Sequence, residues 1–295
     1  MKISDILEKE EIVGYLFLIP AFFFFTVIIG YPLFNGIIQS FYEKSLIYPI
    51  SNFIGIKNYE ELLKDSIFWN SLKNTLLWTL SITSTSLLVG LFLALILNQN
   101  LKGKEFFRAT WLLPWALPTI VASLMWSWMY EPNIGVLNFI LKKAGLIEEP
   151  VLWLTTPFHA FLSVLIVAIW KGFPFVMISL LAGLQSIPQE LYESASIDGA
   201  SFWEKFRYIT IPSLLPVISI ITTLQIIWNF NHFDIVYQMT RGGPGNATML
   251  LSTLVYMQAF GATRLGYGSA IATVMLIFLC LFSYFYFSLY RKSWE

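Results

Sequence analysis

The chain has 295 residues, 57% of them hydrophobic and only 12% charged, and its mean hydropathy is +0.67. A water-soluble domain carries about a quarter of its residues as charges, so this composition points to lipid as the solvent. Lys plus Arg and Asp plus Glu number 18 each, which leaves no basic excess for a nucleic-acid backbone and excludes nucleic acid as an expected partner.

A hydrocarbon core about 30 Å thick takes roughly 20 apolar helical residues to cross. The charges leave six intervals of that length: 12–42, 74–101, 109–130, 150–189 (interrupted by Lys171), 208–233 and 265–290. The first follows Lys2 and Lys9, but its apolar stretch over 12–38 is too long for a secretion signal and no A-x-A-like site follows. A retained helix over 13–38 is therefore predicted. Residues 43–73 read as a loop and a short amphipathic helix around Glu60, Glu61, Leu62, Leu63 and Lys64, lying at the membrane interface. Spans over 74–97 and 109–130 come next; in the first, Gly90 and Ala94 form a small-xxx-small pair that by itself is a weak packing signal. Residues 131–149 are turn-rich, with Pro132, Asn133 and Gly135, and spans over 157–185, 211–233 and 266–290 complete the set. The one cysteine, Cys280, can form no internal disulfide and reads as a small buried residue of the last span. Blocks such as 21–29 and 274–282 are apolar on every side instead of alternating. The expected fold is an all-α integral membrane protein, one six-helix transmembrane domain over 1–295, and not a β-barrel.

Six spans put both termini on one side of the membrane. With the N-terminus inside, nine positive residues are cytoplasmic (Lys2, Lys9, Lys102, Lys104, Arg108, Lys205, Arg207, Arg291, Lys292) and eight are outside (Lys44, Lys57, Lys64, Lys73, Lys142, Lys143, Arg241, Arg264). That difference does not orient the chain.

The loop over 186–210 is too polar for the bilayer yet carries strong helix punctuation. Ser186 and Gln189 have capping-box spacing, Pro188 suits a first turn, and Glu190 complements the positive end of a helix dipole. Gly199 can take the left-handed conformation that ends a helix, and Ser201 with Glu204 has the spacing of a second capping box. Two short helices meeting at a glycine elbow are predicted.

Glu193-Ser194-Ala195, then Gly199, then Ile209-Thr210-Ile211-Pro212 resembles the EAA motif, E-A-A-x3-G-x9-I-x-L-P, of ABC importer permeases. Ser194 replaces the first Ala and Ile211 the Leu, with the spacing kept. The likeness continues through Pro114-Trp115-Ala116-Leu117-Pro118, Trp170 with Pro174, Asn229-Phe230-Asn231 and Thr240-Arg241-Gly242-Gly243-Pro244. Together these resemble the carbohydrate-importer branch, and most of all its maltose permease subunits, from about residue 14 onward. The resemblance implies that Glu193, Ser194, Ala195, Gly199, Ile209 and Pro212 belong to a cytoplasmic coupling loop that docks on a separate ATPase. It implies two copies of that ATPase, which bind ATP and Mg, a second homologous permease and an extracytoplasmic substrate-binding protein. It also implies residence in the cytoplasmic membrane with both termini cytoplasmic. No G-x-x-x-x-G-K-[ST] sequence is present in the chain, so no nucleotide cofactor is expected in it and hydrolysis is expected from the partner.

In the fifth span Gln225, Trp228, Asn229 and His232 fall at i, i+3, i+4 and i+7, on one helical face. Amide and imidazole groups suit sugar hydroxyls, and an aromatic ring suits the apolar face of a sugar. In the fourth span Lys171, Gly172 and Phe175 form a comparable group, and an intramembrane lysine is costly enough to suggest function. The resemblance implies that Lys171, Gly172, Phe175, Trp228, Asn229 and His232 line a transport pathway. Interhelical hydrogen bonding is the alternative for Asn229 and Asn231. His232 is not expected to hold a metal, because the only other histidine, His159, lies in another span without a carboxylate cluster. Gly242-Gly243-Pro244-Gly245 reads as tight outside turns that could seat the binding protein, and not as a phosphate loop. A secondary transporter or channel without an ATPase is the alternative function. It would call for an ionisable relay, and beyond Lys171 the spans hold almost none. No side-chain set in the spans suggests a catalytic site.

Overall fold

The computed structural model describes residues 10–49, 51–99 and 102–291. Lys2, Lys9 and Lys292 of the charge comparison, and the two chain ends, lie outside the described residues. The chain divides into two compact units, Met1–Asp65 with Val255–Ile277, and Ser66–Leu254 with Phe278–Glu295.

In the first unit, α1 runs through Glu10–Phe25, a π-helical turn Thr26–Gly30, and Tyr31–Gln39. Apolar side chains stand exposed along it, including Phe22, Phe25, Ile28 and Phe34, as expected of a helix whose solvent is lipid. Strands β1 (Tyr42–Lys44) and β2 (Ser51–Phe53) pair antiparallel with Tyr42 opposite Phe53. The short helix α2 (Lys57–Lys64) follows where an amphipathic helix is predicted and buries Leu62. Asn58 Nδ2 fixes it by donating to the carbonyls of Ser40 at 2.8 Å and Tyr42 at 3.0 Å. Arg264 pairs with Glu61 at 2.6 Å and lies 4.5 Å from the centre of the Tyr267 ring. The hydrogen bond to Glu61 raises its pKa above the ordinary arginine value.

The second unit contains α3 (Ser66–Leu97), α4 (Lys104–Ala116), α5 (Thr119–Met129), α6 (Val136–Lys143), α7 (Pro157–Gln185) and α8 (Gln189–Ile197). Next, α9 runs through Phe202–Lys205, a π-helical turn Phe206–Thr210, and Ile211–Phe230, and α10 is Asp234–Met239. Helix α11 (Leu251–Tyr256), with the π-helical turn Met257–Gly261, and α12 (Leu265–Arg291) contribute to both units. Among the described residues, five helices are long and apolar enough to cross a membrane, or up to six if α4 and α5, bent by 94° at their junction, count as one span.

Several elements differ from their sequence-based bounds. The helix expected over 74–97 starts at Ser66, because Lys73 is exposed on it and a charge on an outer helical face does not end a helix. The span expected over 109–130 is broken at Leu117–Pro118. Pro118 has no N–H to give the preceding turn, and it biases Leu117 toward the extended conformation it adopts (ψ 139°). The turn-rich segment 131–149 contains a helix, α6, which Asn138 anchors by accepting from the Val151 N–H at 3.2 Å and the Trp153 indole at 3.0 Å. Cys280 is exposed, as are its neighbours Ile277, Phe278 and Leu281; an apolar side chain in lipid need not be buried in protein.

Two apolar cores hold the second unit together. One gathers Trp78, Ile82, Val164, Val167, Ala168, Ile235 and Val236; the other gathers Ala94, Leu97, Val176, Met177, Leu180, Leu184, Leu214 and Ile221. Both use α3 and α7, and the α7 residues between them, 169–175, belong to neither core as buried members. A polar clamp joins α3 to the loop after α10: Asn70 Nδ2 donates to the Asn246 carbonyl at 2.8 Å, and Asn74 Nδ2 reaches the carbonyls of Asn246, Ala247 and Met249 at 3.1–3.2 Å. Replacing Asn74 by Leu strips the donor from the buried Met249 carbonyl and from the partly buried carbonyl of Ala247, and is expected to cost about 1–3 kcal/mol. A thermal melt of the purified protein checks this, and an unchanged midpoint would contradict the clamp.

Candidate functional site

Between the two cores lies a cleft of about 510 Å³ lined by Trp115, Leu117, Pro118, Thr119, Ala168, Lys171, Gly172, Phe175, Gln225, Trp228, Asn229, His232, Asp234 and Ile235. All seven residues proposed from the sequence for a substrate pathway are on this wall. Four come from α9 or its end, because the 3.6-residue period puts Gln225, Trp228 and Asn229 on one face and carries His232 onto it just past the last turn. Lys171, Gly172 and Phe175 come from the segment of α7 between the cores.

The geometry adds detail that periodicity cannot. Asn229 Nδ2 donates to Gln225 Oε1 at 2.8 Å, one turn earlier on the same helix, and both residues are buried. Asn231 Nδ2, at the C-terminal cap of α9, donates back to the Ile227 carbonyl at 2.9 Å. These bonds are intrahelical, in contrast to the interhelical bonding weighed for both asparagines. Trp228 is 50% exposed, and its ring meets Phe175 edge-on with centroids 5.2 Å apart; Phe175 in turn stacks with Trp115 at 6.2 Å. Three rings from three helices thus form one aromatic wall. His232 sits where α9 has unwound, its ring 5.3 Å from that of Trp78. Its backbone carbonyl accepts from Ser252 Oγ, while its shielded Nε2 has no hydrogen-bond partner among the described residues.

Lys171 Nζ donates to the carbonyls of Leu117 at 2.6 Å, Pro114 at 3.4 Å and Trp115 at 3.5 Å. Trp115, Leu117, Pro118 and Thr119 join the cleft at the helix break. Trp115 and Pro118 belong to the Pro114–Pro118 motif and are not among the residues expected on the pathway; the signal that places them is a Pro-x-x-x-Pro pair inside a span, where broken backbone is tolerated only if buried in protein or lining a cavity.

At the other end of α7 the helix pair over 186–210 takes shape. Gly199 has φ +80°; the Ala200 N–H bonds the Ala195 carbonyl at 2.8 Å and the Gly199 N–H the Ser196 carbonyl at 3.2 Å. These two bonds make a Schellman end for α8. Ser201 and Glu204 form the expected capping box. Hydrogen bonds from the Ser201 side chain and backbone hold the Glu204 carboxyl below its ordinary value. The box expected at Ser186 and Gln189 is not formed. Ser186 ends α7 and its hydroxyl donates to the Gly183 carbonyl at 2.8 Å, while Pro188, with no hydrogen-bonding side chain, takes the N-cap position of α8. The second helix of the pair is also no short one, since it continues through a π-helical turn into the main length of α9. Across the elbow the Tyr192 hydroxyl meets Thr210 Oγ1 at 2.9 Å and Lys205 Nζ donates to Ser196 Oγ at 2.7 Å. Glu193, Ser194, Gly199 and Pro212 are exposed, and Ala195 and Ile209 are half-buried.

A membrane-embedded helical domain with a cleft of mixed aromatic and polar lining between two cores, and an exposed capped helix pair at one end, has the plan of a transport permease. The model of the binding-protein-dependent transport system inner membrane component family matches residues 86–294, and the chain belongs to that family. It is a multi-pass inner-membrane permease of an ABC importer, the transport subunit that works with a substrate-binding protein while a separate subunit hydrolyses ATP. It is 40% identical over 263 residues to a probable ABC transporter permease of Pyrococcus horikoshii, covering 89% of this chain and 90% of that one. It is 38% identical over 288 residues to the trehalose/maltose transport system permease of Thermococcus litoralis, covering 98% and 97%, and 38% identical over 267 residues to a sulfoquinovosyl glycerol permease of Agrobacterium fabrum, covering 90% and 86%. The crystal structure of a bacterial ABC transporter that imports the acidic polysaccharide alginate shares the fold, with a TM-score of 0.79 at 23% identity over 98% of both chains.

Proposed function

We propose that this permease carries a carbohydrate through the cleft between the α4–α5 break, α7 and α9. The observation that carries the reading is the combination on one wall of the Gln225–Asn229 amide pair, the His232 side chain and the Trp115–Phe175–Trp228 aromatic wall. Saccharides present hydroxyls to amides and imidazoles and C–H faces to rings, and an intramembrane cleft that offers both suits them better than an ion or a wholly apolar molecule. The trehalose/maltose and sulfoquinovosyl glycerol permeases among the relatives support the same substrate class. We further propose that Glu193, Ser194, Ala195, Gly199, Ile209 and Pro212 form the loop that docks on the ATPase. The loop then faces the cytoplasm, as do both termini, and the assembly comprises a second homologous permease, two ATPases that bind ATP and Mg, and the external binding protein.

Uptake of labelled maltose and trehalose by the reconstituted importer tests the pathway. Asn229→Ala leaves Gln225 and the saccharide short of a partner and is expected to lower uptake about 5- to 150-fold, the equivalent of about 1–3 kcal/mol of lost hydrogen bonding. Trp228→Ala is expected to lower it as well. Ile226→Leu and Ile227→Leu keep volume off the cleft wall and are expected to change little. Intact uptake in both Asn229→Ala and Trp228→Ala, or loss that only tracks lower yield of the assembled complex, removes the proposed site.

A further inference from the structure

The intramembrane lysine is the most conspicuous charge of the cleft, and an amine there invites assignment to an anionic substrate. Its geometry argues otherwise. A lysine ammonium has three N–H donors and no acceptor, and Lys171 Nζ has three backbone carbonyls within reach, those of Pro114, Trp115 and Leu117. These are the carbonyls that the break strands. In an unbroken helix the Pro114 carbonyl would receive the N–H of residue 118, which is a proline; the Trp115 carbonyl would receive that of Thr119, which starts a helix bent by 94° from the first. Leu117 is extended and lies between the two helices. Carbonyls at a helix C-terminus carry the negative end of its dipole, so a cation is the group that stabilises them.

We infer that Lys171 is a positioning residue: it clamps the α4–α5 break and so sets where Trp115, Leu117 and Pro118 stand in the cleft. The consequence for transport runs through Trp115, whose ring stacks on Phe175, four residues after Lys171 on α7, as Phe175 meets Trp228. One α7 segment therefore holds the break by its amine and the Trp115 ring by its phenylalanine. This inference rests on the cleft being the substrate pathway, but the clamp itself can be measured without any substrate.

The test uses the complete importer in lipid nanodiscs, with Cys280→Ser to remove the exposed native thiol and spin labels on Phe106→Cys in α4 and Trp128→Cys in α5, both exposed positions. In Lys171→Met, which keeps the stem and removes the donors, the label-to-label distance distribution is expected to broaden about twofold, and maximal uptake of neutral maltose to fall about tenfold or more, the size expected for losing charge-assisted hydrogen bonds. Lys171→Arg, which restores donors, is expected to return the narrow distribution and most of the uptake. If Lys171→Met does not assemble, Lys171→Gln, which is uncharged and reaches one atom less far than lysine, takes its place and is expected to broaden the distribution as well. An unchanged distance distribution in Lys171→Met, or in Lys171→Gln where it takes that place, overturns the inference. So does normal maltose uptake accompanied by selective loss of an acidic uronate disaccharide, which would make Lys171 a substrate ligand. If the unmodified importer takes up no saccharide, the carbohydrate reading fails while the label distances still decide the clamp.

Discussion

Glu193→Lys and Gly199→Asp, each placed in the reconstituted importer, are expected to leave the chain inserted and assembled while removing most of the substrate stimulation of the partner ATPase. The expected loss is about 5- to 150-fold, the range of coupling free energies between distant sites. The Glu193 side chain is exposed on α8, so reversing its charge alters the surface offered to a partner and removes no core contact. Gly199 is a sharper case. A β-carbon there would meet nothing within 4 Å, so space is not the constraint; its φ of +80° is. Aspartate tolerates that region better than most residues, at roughly 1 kcal/mol, and it projects a charge from the elbow. The fold is thus expected to survive while docking does not. Binding-protein-stimulated ATP hydrolysis in proteoliposomes is the measurement, and normal stimulation in both variants would remove the coupling role proposed for this loop.

Gly90→Leu is expected to give the largest stability loss of any single substitution considered. A β-carbon at Gly90 would lie 2.8 Å from Val176 Cγ1 and 3.0 Å from the Met177 backbone nitrogen. Val176 is β-branched and buried, and a backbone nitrogen cannot swing aside, so α3 and α7 must separate along a seam that continues into the core at Ala94. Leucine favours a helix over glycine by about 1 kcal/mol, but forcing a full side chain into a filled interior costs about 3 kcal/mol, and the clash wins. Gly90→Ala sets the two effects closer to balance and is expected to be milder. Gly36→Leu, where nothing lies within 4 Å of the added β-carbon, serves as the control. Thermal melts of the three purified variants check the order; a Gly90→Leu protein as stable as the control would contradict the packing account.

The small-residue pair Gly90 and Ala94 shows how far sequence reading goes. On its own the spacing was a weak signal, because most such pairs in apolar helices touch nothing in particular. What makes it matter is Val176 and Met177, distant in the chain, and no local pattern predicts that pairing. The capped elbow is the opposite case. Gly199, Ser201 and Glu204 act on their own near neighbours, so their spacing was enough to place the turn, whereas Ser186 was used by the end of the preceding helix before it could cap the next.

Features that depend on short-range periodicity and on solvent are legible in the residues alone: charge-free intervals long enough for lipid, the glycine elbow with its motif spacing, and the face of α9 that carries Gln225, Trp228, Asn229 and His232. Tertiary structure alone decided that this face meets Lys171, Gly172 and Phe175 across one cleft, that Trp115 completes an aromatic wall with Phe175 and Trp228, and that the lysine amine turns to the carbonyls of a broken helix. A helical repeat fixes which residues share a face because it is set by bonds four residues apart. Which faces meet depends on the register and angle of whole helices, and these follow from packing between segments that lie far apart in the chain.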